Sequence, residues 1–196
     1  MNRELFFATP IYVSDVGTPE LNNRLEQSII NWSNQDKGLA RTNIKGWHSA
    51  DDMHTKPEYK ELVDILFKAQ EHIYKEELLD NEPFLGSMWA NINPPGGYNR
   101  PHTHPNSLWS GVYYIKTPKN SGHLKCEDPK SVAAMTYPRR KEGTLPSYLW
   151  REVHFEPIAG RLIMFPAWLN HCVDPNGSDD IRISVSFNFL QRGMFV

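Results

Sequence analysis

Apolar positions in the first eighty residues repeat with the period of amphipathic helices. The first repeat follows Thr18-Pro19-Glu20, where a capping hydroxyl, a proline and an early acid suit a helix start, and it predicts a helix to about Asn34. The second predicts a helix from Pro57 to about Leu79 whose apolar stripe packs on a sheet face. The two stripes consist of Leu21, Leu25, Ile29 and Trp32, then Leu62, Ile65, Leu66, Ala69 and Ile73.

From Trp89 onward the pattern changes to short strands bounded by turns, and no helical period follows Leu79. A strand over Leu5–Val13 is expected at a sheet edge because Pro10 interrupts it, and Gly46–Ser49 predicts a short strand or ordered loop. Helices followed by strands predict an α+β fold, with N-terminal helices buttressing an antiparallel sandwich or barrel. The later predicted strands are Trp89–Asn93, Leu108–Lys116, Gly122–Cys126, Glu152–Pro157, Gly160–Phe165 and Ile181–Leu190.

The length of 196 residues suits one domain that is large enough to bury a full core. Within a single domain of residues 1–196, residues 1–88 would supply the N-terminal strand and supporting helices, and residues 89–196 the strand-rich core. Pro129–Trp150 is the longest irregular stretch. Such a segment is usually a solvated loop, and beside a site it could also serve as a lid.

Composition excludes several classes of protein. The formal net charge of −2 provides no general basic field for nucleic acid or anionic membranes. No apolar run approaches the length of a membrane span, and the N-terminal apolar run is too short for a signal peptide. Two cysteines, Cys126 and Cys172, are too few for a disulfide framework. A soluble, cytoplasmic protein with no nucleic-acid or membrane partner is therefore expected.

Candidate chemistry centres on His102-Thr103-His104, which lies among prolines and glycines that force turns. Two histidines separated by one residue point to the same side of an extended chain. Neutral imidazole is a common metal ligand, and a third histidine, His171, follows much later in the chain. We interpret the three as one pocket. A lone His-x-His would equally fit a loop pair hydrogen-bonded to its neighbours.

The last predicted strand places Arg182, Ser184 and Ser186 on one face and apolar residues on the other. Inside a barrel, an arginine flanked by hydroxyls can receive a carboxylate, because its planar fork matches two oxygens. The alternative is an ordinary solvent-facing strand. Other strands add Asn91 and Asn93 on one face, and Ser110, Val112 and Tyr114 on another. These groups suit a small polar ligand.

The ordered motifs HTHP, SGVYY, GxLxxFP and RISVSFN resemble those of 2-oxoglutarate- and Fe(II)-dependent oxygenases of the prolyl-hydroxylase-like kind, in particular a bacterial and phage branch. The resemblance covers roughly Trp89–Leu190 and implies a double-stranded β-helix (jelly-roll) core. By this resemblance His102 and His171 are metal ligands, while Arg182 and Tyr114 bind the far carboxylate of 2-oxoglutarate. Ser110, Ser184 and Ser186 complete the expected co-substrate set.

His104 departs from the family pattern, which has an acid at that position. We expect the Fe(II) site to be His102, His104 and His171, with the alternative that His104 supports the site or contacts the substrate. A third neutral imidazole leaves one more positive charge on the metal than the usual two-histidine, one-carboxylate set. Glu127 and Asp128 are nearby acids that could replace His104 as the third ligand.

The resemblance implies a dioxygenase that converts 2-oxoglutarate to succinate while hydroxylating an unidentified small-molecule or peptide substrate with dioxygen. A homodimer is compatible with the sequence, which leaves the oligomeric state open. A cupin-like alternative rests on Gly96 before His102-x-His104, and on Gly160 and Pro166 before His171. It would be a three-histidine dioxygenase independent of 2-oxoglutarate, or an isomerase. A third alternative is a non-catalytic module that binds a metal or a carboxylate.

The remaining candidates are expected to be structural. His48 and His54 could reach the pocket, but a structural or surface role is favoured for both. His123 and His154 lie on predicted strands without partners and are interpreted as structural or surface residues. Cys172 neighbours His171, but consecutive strand residues diverge, so it is interpreted as a small buried hydrophobe.

Overall fold

The computed structural model describes residues 1–80, 82–130, 135 and 138–191. Two helices precede most of the strands, and short 3-10 turns lie at Met53–Thr55, Pro57–Tyr59 and Ser147–Leu149. The helices and strands, in chain order, are β1 (Tyr12–Asp15), α1 (Pro19–Ser33), β2 (Asn43–Ile44), β3 (Trp47–His48), α2 (Lys60–Glu76), β4 (Pro83–Asn93), β5 (Tyr98–His102), β6 (Trp109–Lys116), β7 (Leu124–Glu127), β8 (Glu152–Phe155), β9 (Arg161–Pro166), β10 (His171–Val173) and β11 (Arg182–Gln191).

The strands form two antiparallel sheets. A six-stranded major sheet has the order β1-β9-β6-β11-β4-β3, and a five-stranded minor sheet has the order β2-β5-β10-β7-β8. Both sheets mix strands from distant parts of the chain, which is how segments far apart in sequence come to share one interior. The predicted α+β class is confirmed.

The larger hydrophobic core lies between the helices and the outer face of the major sheet. Thr18 caps α1 by accepting a hydrogen bond from Leu21 N, as its sequence position predicts. The Tyr113 hydroxyl on β6 donates to Asn22 Oδ1 on α1 at 2.5 Å, which ties helix to sheet. The residues of this core include Leu21, Leu25 and Ile29 of α1, Leu62, Leu66 and Ile73 of α2, and Ile183, Val185, Phe187 and Phe189 of β11.

A smaller apolar cluster lies between the two sheets. It joins Val112 of β6 and Phe165 of β9 to Leu124 and Cys126 of β7, and it fills only part of the interior. The alternation along β11 explains the division, because Ile183 and Val185 face the helices while Arg182 and Ser184 line the space between the sheets. The interior therefore retains a polar cavity.

Several sequence predictions need correction. The first strand begins at Tyr12 rather than Leu5, because residues up to Ile11 form no ladder and Phe7 has a positive φ of 63°. Its place at a sheet edge is as predicted. The proposed boundary between residues 88 and 89 falls inside β4, which starts at Pro83.

Three strands were not predicted: β2, β5 and β10. They are two to five residues long and lack alternating apolar residues, and β5 contains Pro101. The resemblance to oxygenases nevertheless implied that the two metal-ligand histidines lie at strand ends. His102 does end β5, and His171 begins β10.

Among the helices in the described ranges, none combines the length and the apolar character that a bilayer crossing requires.

Candidate functional site

Three histidines meet at one end of the minor sheet. His171 lies directly opposite His102 in the β5–β10 pair, and their ring centroids are 4.3 Å apart. His104 follows β5, where its backbone N–H donates to Ala167 O at 2.9 Å. Its ring lies 4.9 Å from that of His102 and 5.1 Å from that of His171. One nitrogen from each ring lies within 4.8 Å of the others, so the group can hold a single metal ion.

Backbone carbonyls orient two of these rings. His102 Nδ1 lies 2.6 Å from Arg100 O, and His171 Nδ1 lies 2.8 Å from Leu169 O. A carbonyl oxygen can only accept, so each Nδ1 carries the proton and donates it. Nε2 is then the unprotonated atom with a free lone pair, which is the form in which histidine binds a metal.

Burial keeps these imidazoles neutral. It lowers the pKa of His171 to about 3, assisted by repulsion from His102, and lowers that of His104 to about 4, again with a contribution from His102. The pKa of His102 is also lowered by burial. All three are therefore ready to bind a cation at neutral pH without losing a proton.

The acids considered as replacements for His104 lie elsewhere. Glu127 Oε2 accepts from Asn170 Nδ2 at 2.6 Å, and Asp128 Oδ1 accepts from Lys130 N at 2.9 Å. Both line an outer groove beside the N-terminal segment, not the cavity of the histidines. Within the described ranges, the group with metal-binding geometry consists of the three histidines.

Arg182 lies at the inner end of the cavity and is only 1% exposed. Its Nη1 donates to the carbonyls of Ser121 and, at 3.2 Å, Asp174. Gly122, with a φ of +88°, allows this approach, because a Cβ there would lie 2.5 Å from Asp174 O and 3.0 Å from the Arg182 guanidinium. No carboxylate forms an ion pair with Arg182 in the part of the chain described, and its Nη2 has no hydrogen-bond partner there. A buried cation in this state needs an anion.

Tyr114 adds a second free donor beside Arg182. Burial raises its pKa, although the charge of Arg182 opposes the shift, so the phenol stays protonated at neutral pH. Its hydroxyl is buried without a hydrogen-bond partner in the described structure. Arg182 Nη2 and the Tyr114 hydroxyl together offer what a carboxylate requires, two donors, one of them charged.

The floor of the cavity is a row of polar side chains from β4 and β11. Ser184 and Ser186 line it as expected, and Asn91 donates from Nδ2 to Ser186 Oγ at 3.2 Å. Ser110 differs from the expectation, because it does not line the cavity. Its hydroxyl donates instead to Asn188 Oδ1 at 2.7 Å, and Asn188 is the residue that reaches the cavity.

The same sheet also brings to the cavity residues that sequence reasoning did not select, in part from the edge strand β3 beside β4. His48 was expected to be structural or on the surface, yet it is 4% exposed and lines the cavity, stacked on Trp89 at 5.3 Å and 11°. Trp89 in turn lies 5.7 Å from His104. Arg41 and Asp51, 3.7 Å apart, are at the rim of this cavity of about 280 Å³. The sequence signal for His48 is weak: in a two-residue strand, an apolar Trp47 on one face is followed by a polar His48 on the other.

The other expected structural residues lie outside the cavity. His54 is in the Met53–Thr55 turn. His154 Nε2 is 2.8 Å from Glu152 Oε1, and His123 Nδ1 is 4.0 Å from Asp174 Oδ2, all with exposed or half-exposed side chains. Cys172 is partly rather than fully buried.

The segment Pro129–Trp150 remains only a predicted lid. Residues 131–134 and 136–137 of it lie outside the described residues. Among its described residues, Pro129, Lys130, Tyr148 and Trp150 line the outer groove and not the cavity of the histidines.

Comparisons with known proteins point in one direction. The sequence model of the family described as "Putative 2OG-Fe(II) oxygenase" matches residues 87–188, just over half of the chain. A prolyl-4-hydroxylase of Pseudomonas putida has a similar structure, with a TM-score of 0.69 and 17% identity over 94% of both chains. So does the viral collagen prolyl hydroxylase of Paramecium Bursaria Chlorella virus-1 in its 2OG complex, with a TM-score of 0.63 and 15% identity over 91% of this chain and 94% of that one.

The epimerase SnoN from nogalamycin biosynthesis, in complex with Fe3+, alpha ketoglutarate and nogalamycin RO, gives a TM-score of 0.70 and 13% identity over 93% of this chain and 79% of that one. At these identities the structural matches show a shared jelly-roll fold, and the predicted double-stranded β-helix core is confirmed.

A curated sequence relative, cytochrome c-552 of Maridesulfovibrio salexigens, is 23% identical over 153 residues, which is 76% of this chain and 29% of that protein. The chain thus spans less than a third of the length of this relative. The two cysteines of the present chain, Cys126 and Cys172, are 46 positions apart, so this sequence lacks the Cys-x-x-Cys-His motif that attaches haem.

Proposed function

The chain belongs to the family of 2OG-Fe(II) oxygenases, and we propose that it is a dioxygenase that hydroxylates a C–H bond of a small-molecule or peptide substrate. One dioxygen and one 2-oxoglutarate are consumed for each C–H bond converted to C–OH, and succinate and carbon dioxide are released. One oxygen atom enters the hydroxyl group and the other enters succinate.

The buried Arg182 carries this proposal. Its free Nη2 and the free Tyr114 hydroxyl face the same cavity as the three histidines. A site for a metal alone would not need a desolvated guanidinium, whereas a metal site shared with a dicarboxylate does. The cupin-like and non-catalytic alternatives leave this cation without a partner, so the arrangement favours the 2-oxoglutarate-dependent reaction.

We propose that His102, His104 and His171 hold Fe(II) through one nitrogen each. When bound, iron supplies the dioxygen and one-electron chemistry that no side chain can provide. The rings of His102 and His171 are already aimed by the carbonyls of Arg100 and Leu169. Little reorganisation is then needed when the ion enters.

The remaining groups orient 2-oxoglutarate and exclude water. Arg182 and Tyr114 bind its far carboxylate, while Ser184 and Ser186 line the floor beside it. Ser110 does not contact the cavity itself, and its hydroxyl orients Asn188, which lines the cavity. The apolar side chains of Val112, Leu124, Phe165 and Val173 line the same cavity and keep part of it dry, which strengthens the charge interactions inside.

We further propose that residues 1–196 act as one oxygenase domain. β1 pairs with β9 at one edge of the major sheet, and β3 pairs with β4 at the other. His48 on β3 lines the cavity, so the N-terminal region contributes to the site as well as to its support.

The test is succinate formation by anaerobically reconstituted Fe(II) protein after addition of 2-oxoglutarate and air. We expect slow succinate release without a primary substrate, faster release with one, and none from an Arg182→Ala variant at a 2-oxoglutarate concentration that saturates the wild type only. Wild-type protein that binds Fe(II) and shows no affinity for 2-oxoglutarate would contradict the proposal and favour a cupin-like function.

A further inference from the structure

We propose that His48 accepts a hydrogen bond from the primary substrate, and that this substrate is a small zwitterion of the α-amino-acid class. The inference rests on the proposed function, because it concerns the part of the cavity that 2-oxoglutarate does not satisfy.

The first observation is how β3 delivers His48. His48 lies directly opposite Asn91 in the β3–β4 pair, so the two side chains point to the same face, into the cavity. Trp47 points the other way and packs against the core beneath the helices. The two-residue strand β3 therefore places a single imidazole on the cavity wall.

The second observation is the state of this imidazole. Its Nδ1 donates to Ser49 O at 2.7 Å, because a carbonyl can only accept. Burial lowers the pKa of His48, so the ring is neutral and Nε2 carries a lone pair. In the part of the chain described, Nε2 has no hydrogen-bond partner, whereas Nδ1 is engaged by Ser49 O.

The third observation places His48 beside the metal site without joining it. Its ring stacks on Trp89, with ring centroids 5.3 Å apart, and the Trp89 ring also lies 5.7 Å from the ring of His104. His48 is not part of the three-histidine group that can hold a metal. A small molecule held by His48 would lie next to the metal and outside its ligand set.

The fourth observation is that the free groups on this wall are hydrogen-bond acceptors, not donors. Asn91 uses Nδ2 on Ser186 Oγ, and its Oδ1 is buried with no donor in the described structure. His48 Nε2 and Asn91 Oδ1 are thus two acceptors on adjacent strands. Ionised 2-oxoglutarate carries no N–H or O–H and can satisfy neither. A ligand with a donor group would satisfy both acceptors, and Asn91 Oδ1 in particular is costly to leave buried and unpaired.

The rim of the cavity selects the class of donor. Arg41 and Asp51 line it and are half-exposed, and both act electrostatically on His48. At 3.7 Å their mutual attraction is weak in water, so a ligand with one positive and one negative group can replace it. An α-amino acid has an ammonium group for Asp51 and the acceptors, and a carboxylate for Arg41. A cavity of about 280 Å³ that also holds 2-oxoglutarate leaves room for a small molecule only.

The experiment uses the protein of residues 1–196 loaded with Zn²⁺ and 2-oxoglutarate, in which no turnover can occur because zinc is redox-inert. The twenty L-amino acids, and for each the carboxylic acid with hydrogen in place of the amino group, are screened by saturation-transfer NMR. The best amino acid is then titrated calorimetrically into wild type, His48→Leu, His48→Gln, Asp51→Asn and His123→Leu. His123→Leu is the matched control, because His123 lies outside the cavity.

We expect at least one amino acid to bind wild type and its deaminated analogue to bind at least tenfold more weakly. His48→Leu should raise the dissociation constant at least tenfold, and His48→Gln, which keeps an acceptor, should raise it less. Asp51→Asn should weaken binding on an unperturbed fold, whereas His123→Leu should not.

All five proteins should bind 2-oxoglutarate alike, within twofold, and this separates the two proposals. If wild type fails to bind 2-oxoglutarate, the proposed function is wrong and this inference falls with it. If 2-oxoglutarate binds and no amino acid does, or if His48→Leu and Asp51→Asn bind the amino acid as wild type does, the inference alone is overturned.

Discussion

His171 and His102 face each other across the β5–β10 pair, with ring centroids 4.3 Å apart and each Nδ1 bound to a backbone carbonyl two residues earlier in the chain. The pair brings together positions that are 69 residues apart in the sequence. With both Nδ1 atoms engaged, the Nε2 lone pair of each ring is free to bind a metal ion.

We expect His102→Ala and His171→Ala each to abolish stoichiometric Fe(II) binding, because a single remaining cross-strand imidazole and His104 cannot enclose the ion. The fold should survive, since the main core lies on the other side of the major sheet. Elemental analysis of anaerobically reconstituted protein gives the metal content, and circular dichroism controls for folding. His123→Ala, a surface control, should retain iron. Full iron content in either cluster variant would rule out the assigned site.

Arg182→Ala should raise the dissociation constant of 2-oxoglutarate roughly 30- to several-thousand-fold. Truncating one partner of a buried charge pair costs about 2–5 kcal/mol. Arg182→Lys should recover only part of this loss, because it keeps the charge and loses the planar fork. Calorimetry on the anaerobic Fe(II) protein measures both, and the Fe(II) content should not change. Equal 2-oxoglutarate binding by wild type and Arg182→Ala would refute the role of Arg182.

Tyr114→Phe tests the neighbouring donor separately. A hydrogen bond to a charged group contributes about 1.5–3 kcal/mol, so the dissociation constant of 2-oxoglutarate should rise roughly 10- to 150-fold. Tyr113→Phe is the matched control, since its hydroxyl bonds to Asn22 under the helices and has no access to the cavity. That variant should lose stability and leave 2-oxoglutarate affinity unchanged. The reverse pattern would mean that the two tyrosines have been given the wrong roles.

His104→Asp should keep Fe(II) where His104→Ala loses it, because an aspartate restores the two-histidine, one-carboxylate ligand set. The carboxylate also removes one positive charge from the centre, so 2-oxoglutarate, a dianion, should bind more weakly than to wild type. Metal analysis and calorimetry give the two quantities. Loss of iron in His104→Asp to the level of His104→Ala would argue that His104 orients substrate and does not bind metal.

Acid should destabilise the metal-free protein through the same histidines. The pKa of His171 is lowered to about 3 and that of His104 to about 4, against about 6.5 in an unfolded chain. The unfolded state therefore binds more protons between these values. Stability is fully present above pH 6.5 and falls as the pH drops towards 4, by at most about 2 kcal/mol per histidine at pH 5.

Urea unfolding of metal-free protein at pH 7.5 and pH 5 measures this loss. His171→Gln should show a smaller decrease than wild type, because it removes one buried base, and His72→Gln, at an exposed position, should show the wild-type decrease. Identical decreases in wild type and His171→Gln would show that other groups cause the acid sensitivity.

The parts of the site that could be predicted are those with a local pattern. Arg182 and Ser184 fall on one face of a ten-residue strand, and strand alternation alone separates them from Ile183 and Val185. The three histidines were grouped from spacing and resemblance. The alternation along a strand and the spacing of the histidines can both be read from the sequence without knowing which strands pair.

The parts that were missed depend on pairing. β3 is two residues long, and His48 enters the cavity only because Asn91 lies opposite it on β4. Ser110 was expected to line the cavity because it shares a face with Val112 and Tyr114, but its hydroxyl is bound to Asn188, the residue opposite it on β11, and Asn188 lines the cavity instead. The residues around His48 and around Ser110 therefore contain no local pattern that predicts which of the two lines the cavity.

The two faces of β11 have separate tasks, and this has a consequence for engineering. The side chains that hold the helices to the sheet, such as Val185 and Phe187, never meet the ligand, and those that meet it contribute little to the apolar core. β4 is divided in the same way, because Met88 and Ala90 belong to the core while Ser87 and Trp89 line the cavity. Directed evolution confined to Ser87, Trp89 and Asn188 should therefore shift substrate scope without a matching loss of thermal tolerance. A starting point of this kind can accept many active-site changes before it needs any compensating ones.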